Sequence, residues 1–162
     1  MDATDRAIVD ELQRDARQSN RDLAAKLGIA PSTCLERVRA LRARGVITGY
    51  HAAVNLRALD RNLQALVAVQ VRPLSRDVIN DFKRYMGEQP EVLSVFVLAS
   101  TDDFIVHVAV PDIQHLHDFL MDRVTIRREI VGFRTSIVYQ HVGSTEVTPL
   151  DTSRGQGSGG AG

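Results

Sequence analysis

The sequence predicts an α+β fold in two unlike parts, because the spacing of its apolar residues changes after Gly45. Before that glycine, apolar residues recur every three or four positions, as they do in amphipathic helices. After residue 62 they alternate in short runs separated by two helical stretches, as in a sheet with helices. The 162 residues are enough for two small cores. We therefore predict a helical domain at 1–45, a strand and linker at 46–62, and a mixed domain at 63–143.

Charge is unevenly distributed between these parts, although the formal net charge is zero. Residues 1–62 contain three more basic than acidic residues, and the remainder contains three more acidic than basic ones. Arginine supplies all but two of the 20 basic residues, and its guanidinium group suits phosphates and guanine edges. Only the N-terminal part is therefore expected to attract nucleic acid.

The sequence shows no sign of export or membrane insertion. No apolar run approaches the ~20 residues that span a bilayer, and the first residues lack the basic start and apolar stretch of a secretory signal. Cys34 is the single cysteine, so an internal disulfide is excluded. These features predict a cytoplasmic protein.

Three helices are expected at the N-terminus, at about 4–16, 21–27 and 31–43. Gly28 supplies a left-handed stop after the second helix, and Pro31 suits the first position of the third. Two helices joined by a tight glycine-containing turn form a helix-turn-helix, which places its last helix in the DNA major groove. The N-terminal part is thus predicted to bind DNA.

A helical wheel divides the third helix into two sides. Leu35, Val38 and Leu41 gather on the side expected to dock on the other helices, with Cys34 beside them. This position makes Cys34 a packing residue, with a redox-sensing thiol at the helix N-terminus as the alternative. The remaining arc is polar and supplies the predicted DNA-binding residues, which are Ser32, Thr33, Glu36, Arg37, Arg39 and Arg44.

Side-chain chemistry suggests a role for each of these residues. Arg37 suits a guanine edge, Glu36 suits cytosine, and the serine and threonine at the helix start suit bases or phosphates. Arg39 and Arg44, at the edge and the far end of the arc, suit phosphates. Arg37→Ala is then expected to lower operator discrimination, and Arg44→Ala to lower the salt dependence of binding by roughly one unit. A solvated helix face without a ligand is the alternative.

Residues 63–143 follow the order strand, helix, strand, strand, helix, strand, which predicts a ferredoxin-like βαββαβ sandwich. Its antiparallel four-stranded sheet has two helices on one face. Along the strand at 104–110 both alternating sets are largely apolar, so the second face needs a cover, and we expect two copies to pack these sheets as a homodimer. The end of the chain from Thr152, TSRGQGSGGAG, has no large apolar side chain to bury, and the tail at 144–162 is expected to be disordered.

Candidate catalytic and metal-binding groups do not assemble in the sequence. Three histidines lie between residues 107 and 117, but His115 and His117 diverge by about 200° on a helix, so no metal site is expected. Asp102 and Asp103 are neighbours on extended chain and point to opposite faces, unless the turn brings them together as a carboxylate pair. Nucleotide-binding glycine motifs and a serine elbow are also missing. We therefore expect no catalytic residues and no enzymatic activity.

Taken together, these motifs resemble the Lrp/AsnC family, the leucine-responsive and asparagine-responsive regulators of bacteria and archaea. The resemblance extends from about Asp2 to Gly143 and rests on four blocks: DATDRAIVDELQRDAR, DLAAKLGIAPSTCLERVRALRARGVITGYHAAVN, DDFIVHVAV and RTSIVYQH. It implies a transcriptional regulator associated with the nucleoid. Such a protein binds double-stranded DNA through the helix-turn-helix and forms dimers, often octamers, through the sandwich.

The resemblance also implies an effector, usually an amino acid, bound near the hairpin between the central strands. The corresponding residues here are Ala99, Ser100, Thr101, Asp102 and Asp103 in the loop, and Thr135 and Ser136 on the last strand. Many relatives have a glycine where Ser100 stands, whereas the aspartate is kept as Asp103. A serine at this position narrows the pocket or adds a hydroxyl contact. A metabolic regulator whose helical part binds protein is the alternative.

Overall fold

Two units of different architecture make up the computed structural model, which describes residues 1–144 and 146–150. The first unit contains residues 1–52 together with the described residues 142–144 and 146–150, and the second contains residues 53–141. Ser144 and residues 146–150 of the predicted tail lie in no helix or strand, and the rest of that tail lies outside the described residues. Within the described parts, no helix has the length and apolar character needed to cross a bilayer.

The first unit is a three-helix assembly, which confirms the predicted helix-turn-helix. Its helices are α1 (Ala3–Arg14), α2 (Asn20–Leu27) and α3 (Pro31–Ala43). Asp2 and Ser19 cap the first two helices through side-chain oxygens, as expected for short polar residues at helix starts. Gly28 has a φ of 65° directly after α2, a conformation that glycine adopts without a Cβ clash. The turn before α3 therefore follows from its sequence.

Five fully or almost fully buried side chains form the core of this unit: Ile8, Leu23, Ala24, Cys34 and Leu41. Cys34 packs inside the unit, as predicted, and its burial raises the pKa of the thiol. The docking role expected of Leu35 is wrong, because this side chain is 38% exposed. Cys34 and Leu35 are separated by about 100° on the wheel, so a core centred on Cys34 and Leu41 leaves Leu35 at its edge.

The second unit has the predicted βαββαβ order. Its elements are β1 (Leu63–Val71), α4 (Arg76–Gly87), β2 (Val92–Val97), β3 (Phe104–Val110), α5 (Ile113–Phe119) and β4 (Ile130–Val138). The strands form one antiparallel sheet in the order β2-β3-β1-β4. A π-helical turn, Leu120–Val124, continues α5.

One face of this sheet packs on α4 and α5. Alternate residues of β1 and β3 are fully buried there against Phe82, Met86, Leu116 and Phe119 of the helices. Phe82 and Phe104 lie with ring centroids 4.4 Å apart. None of the helices described in this unit covers the opposite face, which exposes Leu66 and Phe96. This is the face on which the sequence predicts that the sheet of a second copy packs.

The strand or ribbon predicted after the helices is wrong. Residues 46–55 contain no strand, and a 3-10 turn, Leu56–Leu59, follows them. A strand requires a neighbouring backbone to complete its hydrogen bonds, and none of the described segments pairs with this one. Its β-branched residues therefore do not suffice to form a strand.

Candidate nucleic-acid interface and effector site

The N-terminal half of α3 presents three of the predicted DNA-binding residues to solvent. Ser32, Thr33 and Glu36 are exposed, and no side chain makes a capping hydrogen bond at the start of this helix. Pro31 fixes the start of the helix, so these side chains project from its first two turns. This is the part of a recognition helix that meets base edges.

The structure places Arg37 and Arg44 in ion pairs with the start of α1. Nη1 of Arg37 lies 2.6 Å from Oδ2 of Asp2 and 2.8 Å from Oδ1 of Asp5. Nη2 of Arg44 lies 3.3 Å from Oδ2 of the same Asp5, which is only 8% exposed. We call these four residues the acidic clamp. It connects α3 to the start of α1 at two points, Arg37 in the middle of α3 and Arg44 at its C-cap.

Hydrogen bonding and charge in the acidic clamp favour the ionised forms of Asp2 and Arg37. The backbone N–H of Asp5 and then the guanidinium of Arg37 lower the pKa of the Asp2 carboxyl. Asp2 and then Asp5 raise the pKa of Arg37. Carboxylates in the first turn of a helix are also stabilised by its dipole. The clamp is a connected set of three ion pairs in which Asp5 is shared by both arginines.

Arg39 differs from these two arginines, because it is exposed and makes no ion pair or hydrogen bond within the described residues. Arg42 is not among the predicted DNA-binding residues. It is also exposed and makes no ion pair or side-chain hydrogen bond with the residues that the structure describes. Thr48 lies beside both arginines. On the wheel Arg42 lies between Val38 and Leu35, on the side that the apolar pattern assigns to docking, so the pattern does not predict its exposure.

The predicted effector loop lies between β2 and β3 and combines exposed and buried residues. Ala99, Ser100 and Thr101 are exposed, whereas Asp102 is partly buried. The Ser100 hydroxyl donates to the carbonyl of Asp102 at 3.0 Å, so it closes its own turn. The serine that replaces a glycine in this pattern therefore has a partner inside the loop.

Asp102 and Asp103 have different surroundings. The Asp102 carboxylate accepts from Nε2 of Gln70 at 3.3 Å and pairs with the guanidinium of Arg134. The Asp103 carboxylate is buried, and it accepts from the backbone N–H of Val71 at 2.8 Å and from Nη1 of Arg72 at 3.0 Å. Asp103 therefore holds the end of β1, and the two carboxylates do not share a site.

Thr135 and Ser136 are exposed on β4 but face opposite sides of the sheet. Thr135 lies opposite Val67, on the helix side, and Ser136 lies opposite Leu66, on the open side. Their neighbour Arg134 is the residue of this strand that contacts the loop. Gln70 and Arg134 were not predicted, although strand alternation places both on the open face with Ser136.

The three histidines considered for a metal are dispersed. Nε2 of His115 lies 3.2 Å from Oε1 of Glu91, Nε2 of His107 lies 3.0 Å from Oε1 of Gln64, and His117 is exposed. Among the described residues no group of three or more histidine, cysteine or carboxylate side chains is arranged to hold a metal ion.

Comparison with known proteins places both units in one family. A family model described as winged helix-turn-helix DNA-binding matches residues 1–48, and one described as the Lrp/AsnC ligand binding domain matches residues 64–147. The transcriptional regulator AldR of Mycolicibacterium smegmatis is 37% identical over 88% of this chain and 83% of its own length. The chain belongs to the Lrp/AsnC family.

Other members of the Lrp/AsnC family agree with this assignment in sequence and in structure. The leucine-responsive regulatory protein of Escherichia coli is 31% identical over 88% of this chain and 87% of its own length. A transcriptional regulator from Neisseria meningitidis, solved as a complex with L-Met, has a TM-score of 0.84 with 28% identity, covering 93% of this chain and 97% of that one. This chain is accordingly a DNA-binding regulator that responds to a small ligand.

Proposed function

We propose that this Lrp/AsnC protein is a sequence-specific regulator whose helix-turn-helix binds operator DNA under the control of an amino acid. The observation that supports DNA binding best is the exposed polar start of α3, where Ser32, Thr33 and Glu36 stand free above a buried core. Arg39 extends this surface with a free guanidinium. Nη1 of Arg37 and Nη2 of Arg44 are engaged by carboxylates, so these two arginines have fewer N–H groups to offer the same DNA.

We propose an amino-acid effector at the loop from Ala99 to Asp103 together with the strand that contains Thr135 and Ser136. A zwitterion requires an anionic and a cationic group close together, and Asp102 with Arg134 supplies both at this loop. The ammonium and carboxylate groups of the ligand replace the ion pair that these two side chains make with each other. The L-Met complex of the Neisseria meningitidis regulator is consistent with this class of ligand. Ser100, whose hydroxyl is engaged within the loop, contributes its side-chain volume to the shape of the pocket.

We propose that the dimer forms through the open face of the sheet. Phe96 on β2 is 52% exposed and Leu66 on β1 is 36% exposed on that face. Neighbouring apolar side chains on an uncovered sheet are typical of an interface. Phe96→Asp is expected to convert the dimer into monomer in light scattering. Association that is unchanged by this variant argues against the open face as the interface.

Genomic DNA capture, with and without a panel of amino acids, tests the proposal as a whole. We expect enrichment of a small set of fragments, and a shift of that enrichment by one or a few amino acids. Gel shifts on an enriched fragment then measure the effect of Asp102→Asn, which is expected to weaken the response to the amino acid and to preserve DNA binding. Enrichment that is no greater than for random genomic fragments contradicts sequence-specific binding.

A further inference from the structure

The four arginines of α3 and its C-cap fall into two pairs with different surroundings. Arg37 and Arg44 are held by the carboxylates of the acidic clamp. Arg39 and Arg42 are exposed, and neither has a hydrogen-bond or ion-pair partner in the part of the chain that the structure describes. Residues three apart on a helix are neighbours on its surface, so these two free guanidinium groups stand on one side of α3.

A shallow recess of about 430 Å³ lies beside the free pair. Its lining consists of Arg39, Arg42 and Ala43 from α3 and of Ile47 and Thr48 from the segment that follows. This lining contains two cationic side chains and one hydroxyl, and it contains no carboxylate. Such a set suits a phosphodiester oxygen, which takes charge-assisted hydrogen bonds from guanidinium groups and further ones from hydroxyls.

The position of Thr48 relative to the helix is fixed by the backbone. The N–H groups of Val46 and Ile47 both donate to the carbonyl of Leu41, at 2.9 and 3.3 Å. Gly45, with a φ of 70°, allows the chain to turn back for these contacts. The recess is therefore a formed feature of the helix C-terminus.

We propose that Arg39, Arg42 and Thr48 form a seat for a DNA backbone phosphate, and that Arg37 and Arg44 are positioning residues that set the angle of α3 on α1. This inference rests on the proposed DNA binding and changes the roles suggested by the sequence. Arg37 leaves the set of base-reading residues, because its Nη1 bridges two carboxylates and so holds the side chain against the start of α1. Arg42 and Thr48 enter the set of DNA contacts.

The salt dependence of DNA binding tests this assignment. The logarithm of the association constant falls linearly with the logarithm of the salt concentration, and each phosphate contact that is lost reduces the magnitude of this slope by about 0.9 per chain. Full-length protein is titrated into a fluorescent random-sequence duplex between about 50 and about 300 mM KCl, where phosphate contacts dominate the affinity. Arg39→Ala and Arg42→Ala are each expected to lower the slope by about one unit per chain. Both side chains are exposed, so their loss leaves the fold intact.

Two matched controls separate a phosphate contact from a general loss of charge. Arg17→Ala removes an exposed arginine outside α3, and Arg44→Ala removes one held in the acidic clamp. Both are expected to keep the wild-type slope, and Arg44→Ala is expected to lower the melting temperature as well. A drop in slope in Arg44→Ala that equals those in Arg39→Ala and Arg42→Ala overturns the assignment.

The remaining outcomes distinguish this inference from the proposed function. Wild-type binding with unchanged slopes in both Arg39→Ala and Arg42→Ala overturns the phosphate seat and leaves DNA binding in place. A wild-type protein that binds no duplex at any salt concentration overturns DNA binding and the seat together.

Discussion

Asp103 is expected to be a structural residue of the second unit, and its removal should cost more stability than that of its neighbour Asp102. Its buried carboxylate accepts from the backbone N–H of Val71 at 2.8 Å and from Arg72 at 3.0 Å. Asp103→Ala leaves the Val71 N–H buried without an acceptor, at a cost of about 1–3 kcal/mol. The ion pair with the exposed Arg72 side chain adds less than about 1 kcal/mol. The free energy of unfolding should therefore fall by about 1–4 kcal/mol.

Urea denaturation followed by circular dichroism measures this difference, because the midpoint falls while the slope m stays constant in a variant that changes stability alone. Asp103→Asn keeps an oxygen that accepts from Val71, so its loss should be about 1 kcal/mol. Asp102→Ala should lose less than about 1 kcal/mol, since its partner Arg134 is largely exposed. An Asp103→Ala protein within about 0.5 kcal/mol of wild type would refute the role of this carboxylate as the acceptor for Val71.

Three further predictions concern groups that the fold buries or constrains. Burial and then the charge of His141 lower the pKa of His107 from its usual 6.5. The folded state therefore favours the neutral imidazole, and the stability this gives is present above about pH 6.5 and is lost as the pH falls. His107→Gln should flatten the decline of the urea midpoint between about pH 6.5 and 5. Cys34 is fully buried, so a thiol reagent should modify it at least about ten times more slowly in native than in urea-unfolded protein, and equal rates would contradict its burial. Gly28→Ala should lower the melting temperature through a loss of about 1 kcal/mol, because alanine is strained at a φ of 65°; Gly87→Ala, in a helix, is the control.

The sequence is sufficient to predict α3 almost to the residue, because its boundaries depend on local chemistry. Pro31 is favoured at a first helical position, and Gly45 adopts the left-handed conformation that follows the helix end. Two strands of the second unit, β1 and β3, are predictable in the same way, since the alternation of buried valines along them is a local pattern. Turn residues and periodicity determine where elements begin and end.

The acidic clamp was not predictable in the same way, because it depends on contacts between distant positions. Arg37 meets carboxylates that lie 35 and 32 positions before it, and the partner of Arg44 lies 39 positions before it. Local patterns make Asp2 and Asp5 helix-start residues, and they make Arg37 one of several polar residues on a helix. Only the packing of α3 against α1 determines which arginine meets them.

The acidic clamp also changes how the charge of the first unit is interpreted. Two arginines and two aspartates are paired within it, so it contributes no net charge, and the basic surplus of three in residues 1–62 lies outside it. Half of the arginines at α3 therefore have their charge balanced by a carboxylate partner, although both side chains stay partly exposed. The helix then offers two free guanidinium groups per chain, which limits its share of the salt slope to about two units per chain. A larger measured slope would require contacts from other parts of the protein.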